Sequence, residues 1–543
     1  MTPFLNHYTL KYTPLSPVHV GADESYEPGN YVIDDEAGAL YSFDSRAALV
    51  GLSLSDRQQL LAIVNSKPDD TMLTKVQAFF HNHREKLLAY AMPPVPTATG
   101  IKSLYAKRIG KTAQHGVINK LEIERTFYNP VDGKPLLPGS SIKGAIRTAL
   151  LDGINQGKPL IDRNNQQLQK RLFEGDFHLD PMRLVSIGDA GWQGKAEKPA
   201  CQVQFAVNRK RQPVIKNGQL VKSQAETSNL YQLLECVAPH HYQSFTGSLT
   251  LYNTQSVAQD NRKLPKQQLH WTAKDIAKAC NAFYMELFWK EFHAMKERDY
   301  LKTDWLNQME QLLDNGLLKR LDDGDAFLLR VGRHSGGEAM TLNGVRSIMI
   351  KGQGREKTWE KQPKTWWLAA DDVSSKQGLL PFGWVLVEID PKAPDSQLQQ
   401  WLENSNSDLT AWMQQQLDKQ NALKQQAELL QQQEQQKIHA EQQIADEIRL
   451  QQEADQQRLA SLSPIDQEIE TFLKPIQVQE HDTRLLQELE KGRWQEADAK
   501  IVAQQVKALM EQANKWMPDF AGDNKQKVKL KERSQKVLSY IKD

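Results

Sequence analysis

The chain has 543 residues, 68 of them Lys or Arg and 67 Asp or Glu, so its formal net charge at neutral pH is +1. Apolar residues make up 39% and charged residues 25%, which excludes a disordered polyelectrolyte and fits about three folded domains. No stretch approaches the roughly 18–20 consecutive apolar residues of a membrane span, the N-terminus lacks a basic and then apolar leader, and Cys201, Cys236 and Cys280 are too widely spaced for a disulfide framework or a CxxC metal site, so a cytoplasmic protein with no membrane partner is expected.

The charge is unevenly placed. Residues 391–543 carry 20 Lys+Arg and 25 Asp+Glu, leaving 48 and 42 for residues 1–390. The first part is mildly basic, which is compatible with a nucleic-acid partner, and the tail is acidic.

In chain order, Tyr8, Leu10 and Tyr12 alternate with polar residues and predict a half-buried strand. Pro14 and Pro17 break it before Val18-His19-Val20-Gly21, and a second short strand fits residues 31–33. Between 56 and 90 the spacing of Leu60, Leu61, Val64, Leu73, Val76, Phe79, Phe80, Leu87 and Leu88 turns helical. Residues 101–125 collect Lys102, Lys107, Arg108, Lys111, Lys120 and Arg125, with Ile101 and Tyr105 among them. That mixture suits a hairpin tracking a nucleic-acid backbone, and it suits a solvated loop equally well.

The sharpest local pattern is Pro138-Gly139-Ser140-Ser141-Ile142-Lys143-Gly144-Ala145-Ile146-Arg147. Ser140 or Ser141 can cap a helix, with Ile142, Ala145, Ile146, Ala149 and Leu150 as its buried stripe. Lys143 and Arg147 are i, i+4 on another face. Free N–H groups, two hydroxyls and two cations suit a backbone phosphate; the same spacing fits an ordinary capped helix. It is no P-loop, because Lys143 is followed by Gly144 rather than Ser or Thr. Further alternating segments fall near 184–187, 203–207, 233–237 and 248–251, and residues 273–297 are strongly helical. In Arg330-Val331-Gly332-Arg333-His334-Ser335-Gly336-Gly337-Glu338, glycines allow close approach to a phosphate and Arg333 and His334 supply donors, unless the segment is simply a turn. A last strand fits 383–388. Strands and helices without a regular βαβα run argue for an α+β fold.

Composition changes near residue 395. Residues 391–460 hold 20 Gln and no Pro after Pro394, predicting one long, mostly exposed helix over 409–460 with a thin apolar stripe. Residues 464–543 read as a small all-α domain. Catalytic signatures are poor: HExxH, GxSxG and zinc spacings are missing, and Asp189 reads as a turn former before an acid–base group. No catalytic residue, metal or cofactor is expected.

Taken together, the segments resemble the RAMP proteins of type III-A CRISPR effector (Csm) complexes, and among them the fifth Csm subunit. The residues that carry this are Pro17-Val18-His19-Val20-Gly21, the 136–151 run around Ser140-Ser141-Ile142-Lys143-Gly144, Asp180-Pro181-Met182-Arg183 leading to Val185-Ser186-Ile187-Gly188-Asp189, the glycine-rich loop, and Pro381-Phe382-Gly383-Trp384-Val385-Leu386-Val387-Glu388. Gly188 stands where the family pattern has Ser. The resemblance covers about residues 5–390 and implies two tandem ferredoxin-like (RRM-related) RAMP domains, over 1–230 and 231–394, followed by the long helix or coiled coil at 395–462 and the helical domain at 463–543. It also implies a non-enzymatic RNA-binding subunit that sits at the crRNA 3′ end, with crRNA, target RNA, other Csm-type backbone subunits and host nucleases as partners. The expected RNA contacts are His19, Lys102, Lys107, Arg108, Ser140, Ser141, Lys143, Arg147, Arg333 and His334. Two other readings compete: a RAMP endoribonuclease using His19 or Asp23, and a scaffold recruiting a nuclease through the helical tail.

Overall fold

The computed structural model describes residues 3–27, 29–66, 69–110, 121–162, 164–239, 241–254, 264–351, 357–404 and 407–542. They fall into two compact units, Met1–Glu428 and Leu429–Asp543. The whole is a mixed α/β protein with several sheets and one long helix.

The first strand, Leu5–Pro14, forms where the alternation predicts it: Leu10 and Tyr12 are fully buried, while His7 and Thr9 stay exposed on the other face. It lies between Phe245–Tyr252 and Trp384–Ile389, both antiparallel, with Tyr12 opposite Phe245 on one side and Val387 on the other. Ala326–Arg330 extends this sheet at one edge. Val185–Ile187, Ala190–Trp192 and Leu136–Leu137 extend it at the other. Two helices, Gly139–Asn155 and Ala273–Glu297, pack together against it. Ile142, Ile146, Ala149 and Leu150 face inward from one helix, and Ile276, Cys280, Phe283 and Leu287 from the other. These are the rows the sequence predicts, and each fully buried large side chain contributes about 1.5–3 kcal/mol. A capping box starts the second helix: Thr272 Oγ1 accepts from the Asp275 N–H at 3.2 Å and the Asp275 carboxylate accepts from the Thr272 N–H at 2.9 Å.

The second sheet runs Gly21–Tyr26, Ile123–Thr126, Tyr231–Val237, Cys201–Lys210, Thr365–Ala370, Leu380–Pro381. Val203, Phe205, Val207 and Leu233 point from it into the main core. Ala206, Leu234, Cys236, Ala369 and Phe382 form a smaller cluster apart from that core. The expected boundary at 230/231 runs through both sheets, because each takes strands from either side of it. Pairing across long connections, rather than adjacency in the chain, selects the strand neighbours.

Residues 31–96 build a satellite with its own core. Tyr31–Asp34, Ala39–Ser42 and Val95–Pro96 form its sheet, and Val32, Tyr41, Phe43, Phe79, Phe80 and Leu87 fill it. The long helix spans Ser407–Ser461, close to the predicted bounds, but its first turns are not a free stalk. The Trp412 indole donates to the Ala37 carbonyl at 2.9 Å, Lys419 pairs with Asp34 at 2.7 Å, and the Gln420 amide donates to the Leu88 and Ala91 carbonyls. Before it, Leu398, Trp401 and Leu402 of Ser396–Asn404 are buried in the main core. The composition shift near 395 is therefore no structural boundary. Beyond Leu423, nearly all side chains of the helix up to residue 460 are exposed.

The second unit continues with helices Pro464–Leu473, His481–Glu490, Glu496–Gln512 and Lys525–Lys542. Ile469, Leu485, Leu486, Leu489, Val502 and Val506 are among its core residues. Ile501, next to the buried Val502, is exposed. No described helix is long and apolar enough to cross a membrane.

Candidate nucleic-acid interface

Three segments singled out in the sequence meet in space: the Pro17–Gly21 turn, the glycine-rich loop and the turn before the last strand. The Arg333 N–H donates to the His19 carbonyl at 2.8 Å, the Val331 N–H to Gly383 at 2.9 Å, and the Gly383 N–H to Pro17 at 2.9 Å. Gly332 has φ +82° and a Cβ there would lie 2.3 Å from the His19 carbonyl oxygen; Gly383 has φ +89° and its Cβ would lie 2.3 Å from that of Val331. These glycines let three backbones touch, so their need is internal packing rather than approach to a phosphate.

The side chains at this junction divide. His19 is fully buried, and its Nδ1–H donates to the Glu235 carbonyl at 2.7 Å. Burial lowers its pKa, and the Arg333 charge adds to that. His19 is thus a structural tie and is not available to a ligand, contrary to the expectation. His334, at φ +63°, stacks on half-buried Trp367 with centroids 4.9 Å apart and an 18° tilt, and bonds Gln232 at 2.8 Å. Burial first, then Arg333 and His19, push its pKa down to about 3, so it is neutral at physiological pH. Arg333 reaches outward and pairs with Glu124. Below the loop, Arg211, Lys290, Arg330 and Arg346 surround the buried carboxylates of Glu291 and Glu338. Four cations against two anions leave a local excess of positive charge.

The second constellation is the start of helix Gly139–Asn155. Neither Ser140 nor Ser141 caps it: both lie in the first turn after Pro138, which supplies no side-chain cap. The Asp189 carboxylate does that work, accepting the Gly139 N–H at 2.7 Å. A Cβ on Gly139 would come within 2.4 Å of the Ile187 carbonyl, which explains the glycine. Arg147 is engaged internally, with Asp180 at 2.7 Å, Gln169 at 3.0 Å and the Phe173 ring 4.9 Å away. Lys143 remains half-buried with no ion pair among the described residues, and burial lowers its pKa. Ser140 is exposed beside it.

The third is helix Thr99–Arg108. Lys102 donates to the Glu36 carbonyl at 3.1 Å, Lys107 is exposed, and Lys107 and Arg108 occupy the last turn, where the helix dipole favours cations. Lys111 and Lys120 lie outside the described residues. The helix of the second constellation is tied to the first through Asn343, whose N–H donates to the Asp152 carboxylate at 2.6 Å and whose side-chain oxygen accepts from Arg346 at 3.1 Å.

A model of the RAMP superfamily matches residues 11–335, which takes in the Pro17–Gly21 turn, the helix start and the first part of the glycine-rich loop. The chain belongs to the RAMP superfamily. No curated protein matches by direct sequence comparison. Among solved structures, a chain of the Csm–crRNA–target RNA ternary complex of a type III-A CRISPR–Cas system, seen by cryo-EM, is 16% identical, with a TM-score of 0.40, 70% of this chain and 100% of that one covered. The crystal structure of T. onnurineus Csm5 is 17% identical, with a TM-score of 0.39, covering 69% and 99%.

Several residues that shape these RAMP motifs carry no pattern of their own. Glu235 is fully buried and accepts from Tyr26 at 2.7 Å, Tyr128 at 2.8 Å and the Thr126 N–H at 3.2 Å. Arg125 lies over both tyrosine rings, 4.8 Å and 5.1 Å from their centroids. The paired Trp366-Trp367 in a basic stretch was a readable sign of the platform under His334. The polar face of the first sheet presents His7, Thr9, Lys11, Thr246, Ser248 and Thr250. That face continues to Tyr252, which pairs with Leu5 and is itself exposed, its ring met edge-on by the exposed Phe4 ring at 6.0 Å.

Proposed function

We propose that the chain is an RNA-binding subunit of a type III CRISPR effector complex, placed at the crRNA 3′ end and supporting crRNA maturation and antiviral defence. The observation that carries this is the ordered RAMP motif set, with the first turn and the glycine-rich loop joined backbone to backbone by Arg333 and His19. The first sheet supports a ferredoxin-like origin for one domain. Strand, helix, strand, strand, helix, strand follow in the chain as 5–14, 139–155, 185–187, 245–252, 273–297 and 384–389, and the strands are ordered fourth, first, third, second across the sheet. The second sheet lacks such a repeat of helices among the described residues. Of the expected contacts, Lys107, Ser140 and Arg333 are exposed, and Lys143 is half-buried without an ion pair among the described residues.

The chain acts without nuclease chemistry in this reading. The full burial of His19 supports it, because the leading general-base candidate of the endonuclease alternative has no path to a ribose hydroxyl. Expression with the neighbouring genes, followed by sequencing of co-purified RNA, tests the role. Guide RNA with uniform 3′ ends is expected, and ragged or extended 3′ ends when the chain is omitted. Identical ends without the chain would overturn the placement. Purified chain incubated with precursor RNA and Mg²⁺ or Mn²⁺ should leave it intact.

A further inference from the structure

The last helix, Lys525–Lys542, contradicts the acidic character expected of the tail. Residues 461–543 carry 14 Lys+Arg and 14 Asp+Glu, yet this helix alone carries seven of the cations and one Glu. Ser534 and Val537 hold it to the core of the second unit. Lys525, Lys529, Arg533 and Lys536 follow i, i+4, i+8, i+11 on another side, a row about 16 Å long at 1.5 Å per residue. Lys536 is tied to Glu490 at 2.8 Å. Lys525, Lys529 and Arg533, like Lys474 and Lys500, have no ion pair among the described residues, whereas Arg484, Lys491 and Lys515 of the same unit each have one and Arg493 has two.

This arrangement works against the helix itself. Lys525 and Lys527 stand in the first turn, which holds no acid and where the dipole favours one. Lys525 with Lys529, and Lys529 with Arg533, are like charges at i, i+4. The one acid of the helix, Glu532, lies i+3 from Lys529 on the same side and offsets only part of this repulsion. We propose that the row is a second nucleic-acid site, which takes the phosphate backbone of RNA and is separate from the RAMP region. Cations roughly 6 Å apart along one side match a polyanion with a regular charge spacing. The inference rests on this helix alone and stands whether or not the reading of the first unit holds.

The test uses the full chain, a labelled oligouridylate and fluorescence anisotropy between about 50 and 200 mM salt. With Lys525→Gln, Lys529→Gln and Arg533→Gln combined, the slope of log K against log salt should become shallower by about 2–3, from three lost phosphate contacts. Removing the like-charge pairs should leave the melting temperature of the second unit unchanged or higher, so a folding defect is separable. The triple charge reversal to Glu should weaken binding further. A parallel Lys107→Gln/Lys143→Gln variant reports on the first unit alone, so failure of one site does not disguise failure of the other. An unchanged slope in the Gln variant overturns the proposal. So does loss of binding to polyglutamate with RNA binding intact, which would make the row a surface for an acidic protein.

Discussion

Arg147 shows how a residue placed by spacing on an outer face is claimed by its neighbours. Its guanidinium serves Asp180, Gln169 and the Phe173 ring at once. Arg147→Ala should therefore cost about 1–2 kcal/mol in urea denaturation, since the Asp180 carboxylate loses its cation in a mostly buried setting. Lys143→Ala, with no ion pair to lose, should stay within about 0.5 kcal/mol, and the two should separate clearly in one denaturation series. His334 and His241 make a pH prediction. Burial lowers them to about 3 and about 4, below the ordinary imidazole value. The unfolded chain then binds protons that the folded chain refuses, so stability is full above about pH 6.5 and falls on acidification, by up to about 1.4 kcal/mol per pH unit for each histidine. Denaturation at pH 7, 6 and 5 should show this loss. His334→Asn, which tolerates positive φ, should make the acid limb shallower. A stability independent of pH over that range would contradict the burial argument.

At the scale of elements, the start of the long helix decides where the chain can be divided. A chain ending at residue 395 discards Leu398 and Leu402, buried to 0% and 1% exposure, and the Trp412, Gln416 and Lys419 contacts on the satellite. Each leucine is worth about 1.5–3 kcal/mol, against a typical total of about 5–15 kcal/mol. Such a chain should melt far lower or aggregate, whereas one ending at Glu428 should keep a cooperative transition near that of the first unit in the full protein. Thermal melts and gel filtration compare the two directly. Equal melting temperatures would show that these helices add nothing to the fold. The thin stripe of apolar residues hid this packing, because glutamine amides and one indole N–H make up for the missing leucines.

At the scale of the whole molecule, the two units have separate cores. Calorimetry should resolve two transitions. Leu485→Ala, at a fully buried position of the second core, should cost about 2–5 kcal/mol and move only the smaller transition. A shift of both together would mean that the units fold as one. Net charge misleads at this scale. The long helix carries the acidity, the last helix is strongly basic, and the sum over residues 391–543 conceals both.

Periodicity by itself determined the first strand, the two packing helices, the extent of the long helix and most of the second core, because those elements are built from local spacing of apolar residues. It also marked the motifs by which the chain falls within the RAMP superfamily. Only tertiary structure decided what the motif residues do. Whether His19 faces solvent, whether Ser140 or Asp189 caps the helix, and whether Arg147 is free depend on strands and loops distant in the chain arriving beside them. Asp189 is 50 residues from Gly139 and Glu235 is 216 from His19. No local pattern encodes such a meeting, since β-pairing and burial bring the partners together only once the sheets have formed.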